Sequence, residues 1–285
     1  MSGLAWPPAE VHPLWPGQPP GGGGFVAPSP IDPTRVNGTA MPTLNVFRPA
    51  QPDGRALLVC PGGSYEFASI GNEGLDVAER LLPMGFTLFV LRYRLPAEGW
   101  VPRSDVPLQD AQRAMRWIRA HAAALGVDAA RLGVLGFSAG GHLAATLATR
   151  HGEAVYVSVD AADRESARPD YAGLVYPVIA MGGPFVHEPS CERLLGPDPS
   201  AALMATRSAE WLVDAKTPPC FIVHAFDDFD VPVDNSLLML EALRAAGRPV
   251  EVHLFEEGGH GFGVGPAGLP CARWPELFDD WVRRH

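Results

Sequence analysis

Short apolar or alternating runs recur along the chain, separated in most places by segments whose apolar residues fall at helical spacing. Continuous short runs of this kind predict strands that are buried on both faces. The runs are TLNVF (43–47), RALLVC (55–60), FTLFVLRYRL (86–95), RLGVLGF (131–137), YAGLVYPVI (171–179), PCFIVHAF (219–226) and VEVHLFEE (250–257).

Amphipathic segments between these runs predict crossover helices. They are GNEGLDVAERLLPMG (71–85), QDAQRAMRWIRAHAAALG (109–126), GGHLAATLATRH (140–151), NSLLMLEALRAAG (235–247) and RWPELFDDWVRR (273–284). In the last segment Trp274, Leu277, Phe278 and Trp281 follow the i, i+3, i+4, i+7 spacing of a helix docked on a core. The alternation predicts an α/β fold with a mostly parallel central sheet and helices on both faces.

Two segments of the chain, residues 1–42 and about 180–217, do not follow this alternation. Residues 1–42 are rich in proline and glycine, including the run Gly21 to Gly24, and predict an extended N-terminal arm. Residues 43–285 predict a single domain. An irregular stretch of about 180–217 inside it is longer than a simple connection and predicts a small lid-like insertion.

Charge and cysteine spacing limit the classes of partner and cofactor that the chain is expected to bind. With 22 basic and 32 acidic side chains the formal charge is −10, which argues against nucleic acid and against an anionic membrane surface. Four scattered cysteines form neither a zinc pattern nor a disulfide framework, and we expect no metal and no cofactor. The N-terminus has no basic region followed by an apolar core, so we predict no signal peptide and a cytoplasmic location.

One serine between glycines stands where a strand passes into a helix. Ser138 lies in the segment GFSAG (136–140), which matches G-x-S-x-G between a predicted strand and a predicted helix. A nucleophile on such a tight turn needs small neighbours, and the helix that follows aims its positive end at developing negative charge. The alternative interpretation is a glycine-rich turn that carries an incidental serine.

A nucleophilic serine needs a general base, and His260 is the best-placed histidine. It follows the last predicted strand in the glycine-flanked segment FEEGGHGFG (255–263). In an open parallel sheet, reactive groups gather at the carboxyl ends of the strands, where both Ser138 and His260 fall. His142, on the helix after the serine, and His253, within a strand, are predicted to be structural.

A carboxylate should orient that histidine, and the segment VHAFDDFDVPVDNS (223–236) offers four aspartates. Asp228 is our choice because of its D-x-x-V-P spacing. Asp227 is predicted to brace the loop, and Asp234 to cap the next helix. Calcium binding by this acidic cluster is the alternative, but the glycine and distal glutamate of an EF-hand loop are missing.

The fourth requirement is a set of amides for an oxyanion. The strand 55–60 ends in PGGSY (61–65), whose glycines let the backbone approach a ligand closely. We expect an amide of Gly63 or Ser64, together with that of Ala139, to face one oxygen. A phosphate-binding loop is disfavoured because no GK[ST] or GxGxxG pattern follows. A plain glycine turn stays an alternative.

From about residue 43 onward the chain resembles the α/β-hydrolase superfamily, in particular its esterase and acetyl xylan esterase-like group. The likeness is carried by PGGSYEF…NEG, LRYRLP, the region from QDAQRAMRW to GFSAGGHLAA, HAFDDFDVPVDNSL and GGHGFG. The resemblance implies an α/β-hydrolase fold and a triad of Ser138, Asp228 and His260. The family's HGGG histidine is replaced here by Pro61, which leaves open which amide of 62–65 is the donor.

The resemblance implies a serine esterase that acts through an acyl-enzyme on short-chain esters, with acetyl esters of carbohydrates as the expected class. The absence of a visible leader favours acetylated oligosaccharides over polymeric xylan. Two alternatives stay open: a serine peptidase of the same fold, and a non-catalytic binding module.

Substrate contacts are the least constrained part of the prediction. Tyr65, Glu66, Trp100 and Trp211 lie in or near predicted loops, where they could bind a sugar or, for the tryptophans, plug the core. The predicted partner is a small-molecule ester or acetylated oligosaccharide. The arm is expected to pack either on its own domain or on another subunit of a homo-oligomer.

Overall fold

The computed structural model describes residues 3–285 and confirms the predicted α/β class. These residues contain ten strands: β1 (Glu10–Pro13), β2 (Arg35–Val36), β3 (Thr43–Phe47), β4 (Ala56–Cys60), β5 (Ala68–Ser69), β6 (Thr87–Arg92), β7 (Leu132–Phe137), β8 (Ala172–Val175), β9 (Cys220–Ala225) and β10 (Val250–Phe255). Eight form one sheet in the order β1-β3-β6-β4-β7-β8-β9-β10, and β2 pairs with β5 separately.

The sheet is parallel from β6 to β10 and antiparallel only at the edge formed by β1 and β3. Consequently β4, β7, β8, β9 and β10 end at the same edge of the sheet. Their last residues are Cys60, Phe137, Val175, Ala225 and Phe255. The loops that leave this edge carry every side chain that the sequence nominated for catalysis.

In the part of the chain that the structure describes, eight α-helices accompany the sheet. They are α1 (Asp76–Leu81), α2 (Val106–Ala120), α3 (Ala122–Leu125), α4 (Ser138–Arg150), α5 (Glu188–Leu195), α6 (Ala201–Ala205), α7 (Asp234–Ala245) and α8 (Trp274–Val282). Apolar residues of α2, α4 and α7 share one core with one face of the sheet, and those of α1 and α8 share a second core with the other face.

Alternation within single strands explains why both faces are covered. In β4, Leu58 belongs to the first core, whereas Leu57 and Val59 belong to the second. A strand whose successive side chains point to opposite faces must be apolar throughout when both faces are buried. The continuous apolar runs in the sequence are the direct expression of this burial.

The N-terminal arm is more ordered than its composition predicts. Residues Glu10–Pro13 form β1, which pairs antiparallel with β3 and becomes an edge of the main sheet. Trp15 is buried on the same chain, where its indole Nε1 donates to Asp110 at 2.8 Å. The arm therefore packs on its own domain at β1 and Trp15, and Leu4 and Trp6 pack against the second core. The first two residues of the predicted arm lie outside the described residues.

The stretch 180–217 also departs from the prediction. It contains α5, α6 and the 3₁₀ turn Ala209–Leu212 rather than irregular chain. Cys191 and Leu194 of α5 are buried in the first core, so this helix is packed on the domain. These features do not identify the stretch as a lid. Across residues 3–285, no helix combines the length and apolar character needed to cross a bilayer.

Candidate active site

Ser138 sits at the junction of β7 and α4, in a left-handed backbone conformation. Its φ is 51°, which costs a non-glycine residue about 1–2 kcal/mol and is maintained by the surrounding structure. The flanking glycines serve close approach. A Cβ on Gly136 would lie 2.2 Å from the Gly140 carbonyl oxygen, and one on Gly140 would lie 2.0 Å from that of Cys60. Glycine at both positions lets α4 start directly against β4 and β7.

His260 lies against Ser138, although 122 residues separate them in the chain. The Ser138 hydroxyl Oγ is 2.9 Å from His260 Nε2. His260 is held in the histidine loop, residues 256–263, which follows β10. Gly259 and Gly261 on either side have positive φ values of 66° and 71°, so the loop turns sharply at the imidazole.

The second ring nitrogen of His260 meets Asp228. Its Nδ1 donates to Asp228 Oδ2 at 2.7 Å, while Asp228 Oδ1 accepts from the backbone amides of Asp230 and Val231 at 3.0 and 2.8 Å. Asp227 instead accepts the Gly259 amide at 2.7 Å and thereby braces the histidine loop. The structure thus brings Ser138, His260 and Asp228 into one hydrogen-bonded chain.

A further histidine contacts the same carboxylate. His224, on β9, is fully buried and its Nε2 lies 3.1 Å from Asp228 Oδ2 and 3.0 Å from the Val231 carbonyl oxygen. Its Nδ1 is 2.7 Å from the Ser236 hydroxyl. Asp228 is therefore fixed by groups on both of its oxygens, which leaves it little freedom to rotate away from His260.

The charges around His260 favour its protonated form. Burial lowers the pKa of the imidazole, but the hydrogen bond to Asp228 and the negative charges of Asp228, Glu73 and Asp230 outweigh burial, so the pKa is raised above 6.5. For Asp228, burial raises the pKa, yet the hydrogen bonds from His224 and His260 lower it well below its usual range. A carboxylate that stays ionised can stabilise an imidazolium formed by proton transfer from Ser138.

A glycine loop, residues 61–67, faces Ser138 from the end of β4. A Cβ on Gly62 would lie 2.8 Å from that of Ser138, so only glycine fits this approach. Gly63, Ser64 and Tyr65 all have positive φ, at 118°, 55° and 60°. The carbonyl of Gly63 accepts the amides of Glu66 and Phe67, which closes the turn.

Existing hydrogen bonds limit which backbone amides are free to donate to an oxyanion. The Gly62 amide donates to Glu73 Oε2 at 2.6 Å and is thereby engaged. The amides of Gly63 and Ser64 have no hydrogen-bond acceptor among the described residues. The amide of Ala139, the second residue of α4, has no partner within its helix. These are the three amides proposed from the sequence.

Two buried tyrosines hold the glycine loop from below. Tyr65 places its hydroxyl 2.7 Å from His142 Nδ1, and Tyr93 donates to the Pro61 carbonyl at 2.6 Å. His142 in turn has its Nε2 2.8 Å from the Arg207 carbonyl oxygen. Such anchors offset the strain of consecutive positive φ values.

The four residues nominated for substrate contact do not share one surface. The rings of Tyr65 and Trp100 are buried, Tyr65 against His142 and Trp100 between Phe25 of the arm and Arg94, so neither offers a face on which a sugar could stack. For Tyr65 this corrects the expectation of a sugar contact, whereas the burial of Trp100 agrees with the core-packing alternative. Glu66 is exposed and paired with Arg193 at 2.5 Å. Trp211 is 75% exposed.

Sequence reasoning missed three polar groups beside the site: Glu73, Tyr176 and His224. Glu73 was part of the NEG segment, but an acid in a turn carries no periodic signal of burial. Tyr176 follows β8 and lies in the apolar run YAGLVYPVI (171–179), where it reads as one more core residue. His224 sits within a buried strand, and a polar residue in an otherwise apolar run was the one available signal.

With this geometry established, comparisons with known proteins identify the family. The BD-FAE family model matches residues 44–243. The chain is 38% identical over 208 residues to endo-1,4-beta-xylanase B of Butyrivibrio fibrisolvens, covering 73% of this chain and 32% of that protein. It is 33% identical over 223 residues to the acetylxylan esterase of Xylanibacter ruminicola, covering 77% of this chain and 43% of that one. The match thus spans less than half the length of either relative.

Solved structures agree in fold over nearly the whole chain. An acetyl ester-xyloside bifunctional hydrolase from Caldicellulosiruptor lactoaceticus superposes with a TM-score of 0.82 at 36% identity, covering 99% of this chain and 98% of that one. Esterase 2 of Thermogutta terrifontis, phosphonylated by cyclosarin, gives 0.73 at 26% identity, covering 99% and 97%. The α/β-hydrolase fold expected from the sequence is confirmed, and the chain belongs to the BD-FAE family within the α/β-hydrolase superfamily.

Proposed function

We propose that this chain is a serine carboxylic-ester hydrolase that works through an acyl-enzyme. The observation that carries the proposal is the chain of hydrogen bonds from Ser138 Oγ to His260 Nε2 at 2.9 Å and from His260 Nδ1 to Asp228 at 2.7 Å. A serine hydroxyl bonded to an imidazole, itself oriented by an ionised carboxylate, is the arrangement that activates serine for acyl transfer.

In the proposed reaction Ser138 Oγ attacks the ester carbonyl carbon while its proton passes to His260 Nε2. The carbonyl oxygen becomes an oxyanion that accepts hydrogen bonds from the Ala139 amide and from that of Gly63 or Ser64. Collapse of the tetrahedral intermediate releases the alcohol, which takes the proton from His260. Water, deprotonated by His260, then attacks the acyl carbon. Collapse of this second tetrahedral intermediate frees the carboxylic acid and expels Ser138 Oγ, which takes the proton back from His260.

The substrate class follows from the relatives and stays part of the proposal. Two of the proteins that this chain resembles are described as an acetylxylan esterase and an acetyl ester-xyloside hydrolase, and a third as a xylanase. We therefore propose acetyl esters of carbohydrates as the substrates. Of the residues nominated for sugar contact, exposed Glu66 and Trp211 stay candidates.

The decisive experiment combines a covalent probe with turnover. A fluorophosphonate should label the wild-type chain and not Ser138→Ala. The choice of probe is supported by the similar Thermogutta terrifontis esterase 2, whose structure is described as phosphonylated by cyclosarin. The same variant should lose about 10⁴- to 10⁶-fold in kcat on p-nitrophenyl acetate while keeping its melting temperature. Undiminished labelling or turnover in Ser138→Ala would refute the proposed nucleophile.

A substrate panel tests the finer claim. Acetylated xylo-oligosaccharides should be turned over with higher kcat/KM than p-nitrophenyl esters of C4 to C8 acids. Matched p-nitroanilide substrates would reveal a peptidase, because an amide requires protonation of a poorer leaving group. Turnover of the anilides at rates comparable with the esters would contradict an esterase.

A further inference from the structure

We propose that Asn72 and Glu73 form a positioning clamp that holds the glycine loop and the histidine loop in register around Ser138. This inference rests on the proposed serine-hydrolase function, and it assigns a role to the NEG segment that the reaction itself does not use. The clamp lies in the π-helical turn Gly71–Leu75 that precedes α1. Turns of this kind are frequently found at functional sites.

Glu73 is the arm of the clamp that reaches both loops. Only 3% of this residue is exposed. Its Oε2 accepts the Gly62 amide at 2.6 Å, and its Oε1 accepts the Tyr176 hydroxyl at 2.9 Å. Tyr176 in turn accepts the amide of Gly263 at 3.0 Å. One carboxylate thus joins the glycine loop to the end of the histidine loop through a single tyrosine.

Asn72 provides a second, direct tie to the histidine loop. Its Nδ2 donates to the Gly261 carbonyl at 2.7 Å. A Cβ on Gly263 would lie 2.3 Å from Asn72 Oδ1, so the loop backbone runs directly against this side chain. Because the residues immediately after His260 are held at two points, the imidazole is held relative to Gly62.

Tyr176 also touches the imidazole itself. Its ring meets that of His260 edge-on, with centroids 5.2 Å apart and an interplanar angle of 65°. The backbone of Tyr176 has a φ of 35°, a strained conformation that surrounding contacts must maintain. A ring fixed by Glu73 at its hydroxyl and by Phe262 along its side limits how far His260 can swing.

The clamp carries charge as well as geometry. Burial raises the pKa of Glu73 above its usual range, and the hydrogen bonds from Gly62 and Tyr176 and the charge of His260 offset only part of this rise. As a carboxylate it accepts both hydrogen bonds and places a second negative charge near the imidazole. The titratable groups that face His260 are Asp228 and Asp230 after β9, Glu73 before α1, Tyr176 after β8, and His187 before α5.

A purely structural role would not require an acid. Burying a charged group costs free energy, and well-packed apolar residues often stabilise such a position at least as well. Retaining a carboxylate here is explained when its two acceptors fix donors on both sides of the reaction centre. We therefore expect replacement of the charge to act on catalysis and on the titration of His260, beyond any effect on folding.

The test uses Glu73→Gln with Glu98→Gln as its matched control. Glu98 is another buried acid that accepts a backbone amide, that of Gly38 at 2.7 Å, but it holds the N-terminal arm. We expect Glu73→Gln to lower kcat on p-nitrophenyl acetate by about 10- to 100-fold with KM within about twofold, as for other groups that orient a reacting residue. Glu98→Gln should leave kcat unchanged.

A second pair separates positioning from charge. Tyr176→Phe breaks the link to Gly263 but keeps the Glu73 carboxylate, and Tyr171→Phe removes a buried hydroxyl at the opposite end of the sheet, near Ala56. Tyr176→Phe should lower kcat by about tenfold, and Tyr171→Phe should not. If Glu73→Gln and Tyr176→Phe lose only melting temperature, with kcat unchanged as in their two controls, the clamp is overturned.

An activity-independent readout distinguishes failure of the clamp from failure of the proposed function. NMR titration of the His260 imidazole, assigned by loss of its signal in His260→Gln, should move to lower pH in Glu73→Gln and stay in place in Glu98→Gln. An unmoved His260 titration in folded Glu73→Gln overturns the charge effect whatever the wild-type chain hydrolyses. Inactivity of the wild type toward every ester overturns the proposed function alone.

Discussion

His142 and His260 both lie near Ser138, but they differ in burial and in their hydrogen-bond partners. His142 is one helical turn beyond Ser138 on α4, yet it is buried, and its two nitrogens lie against the Tyr65 hydroxyl and the Arg207 carbonyl. His260 comes 122 residues later and is the one that meets the serine hydroxyl. Its side chain stays 20% exposed.

The difference teaches that the partner of an imidazole, rather than its nearness in the chain, decides what it can do. His142 is bound by neutral oxygens, and burial lowers its pKa to about 4, so it stays neutral and locked. His260 is bound to a carboxylate that favours the charged form, and its other nitrogen is turned to Ser138. Only the second arrangement can accept and return a proton near neutral pH.

The largest expected contrast is between glutamine substitutions at the two positions. His260→Gln should lower kcat/KM for p-nitrophenyl acetate by about 10⁴-fold or more, because no base is left for Ser138. His142→Gln should keep activity within about tenfold while losing about 1–3 kcal/mol of unfolding free energy, since the Tyr65 bond is disturbed. Steady-state kinetics and urea denaturation measure both, and comparable kinetic losses would contradict the contrast.

Removing the carboxylate partner should convert His260 toward the neutral, unassisted state of His142. We expect Asp228→Asn to lower kcat by about 10⁴-fold, because the amide no longer stabilises the imidazolium. The matched control is exposed Asp230→Asn, two residues away, whose charge is screened by water and which should change kcat less than about threefold. An Asp228→Asn enzyme that retains more than a tenth of wild-type kcat would exclude this carboxylate as the orienting acid.

The pH dependence of activity should follow the raised pKa of His260. A general base must be neutral, so kcat/KM should fall as the pH drops through that pKa, with a midpoint above 6.5 and about a tenfold loss per pH unit below it. Partial loss of the negative charge around the imidazole in Asp230→Asn should move the midpoint slightly downward. If the acidic limb of the kcat/KM profile were instead centred near pH 4, where His142 titrates, the result would contradict His260 as the general base.

His142 should appear instead in the pH dependence of stability. Its pKa is about 4 when folded and near 6.5 when unfolded, so between these values the unfolded chain binds the proton and the folded one does not. Stability is therefore lost as the pH falls from 6.5 toward 4, by up to about 3 kcal/mol. His142→Gln should lose less over that window, measured as the change in urea midpoint between pH 7 and pH 4.5. Parallel slopes in the two proteins would contradict this assignment.

Much of the fold could be predicted from local pattern. The spacing of Trp274, Phe278 and Trp281 predicted a docked helix, and all three are buried in α8. β1 was missed because its four residues alternate between partly buried and exposed positions within a proline-rich segment, and its pairing with β3 is a contact about thirty residues away. Local periodicity carries no information about such a pairing.

The candidate site divides in the same way. Three local signals predicted the candidate catalytic residues. These are the glycine spacing around Ser138, the position of His260 after a strand, and the D-x-x-V-P spacing at Asp228. By contrast, burial of Tyr65 and Trp100 depends on which elements pack over the loops that hold them. The role of Glu73 could be inferred only from the structure, in which it accepts hydrogen bonds from Gly62, after β4, and from Tyr176, after β8.

The amino-acid sequence alone determined the α/β sheet, the residue types able to activate a serine, and the strand ends that carry those residues. These features depend on periodicity and turn chemistry over a few neighbouring residues. Tertiary structure decided which amides are left unpaired, which of two histidines meets Ser138, and that Glu73 joins two loops. Those outcomes depend on hydrogen-bond partners remote in the chain, which only the packed arrangement of strands and loops brings within bonding distance.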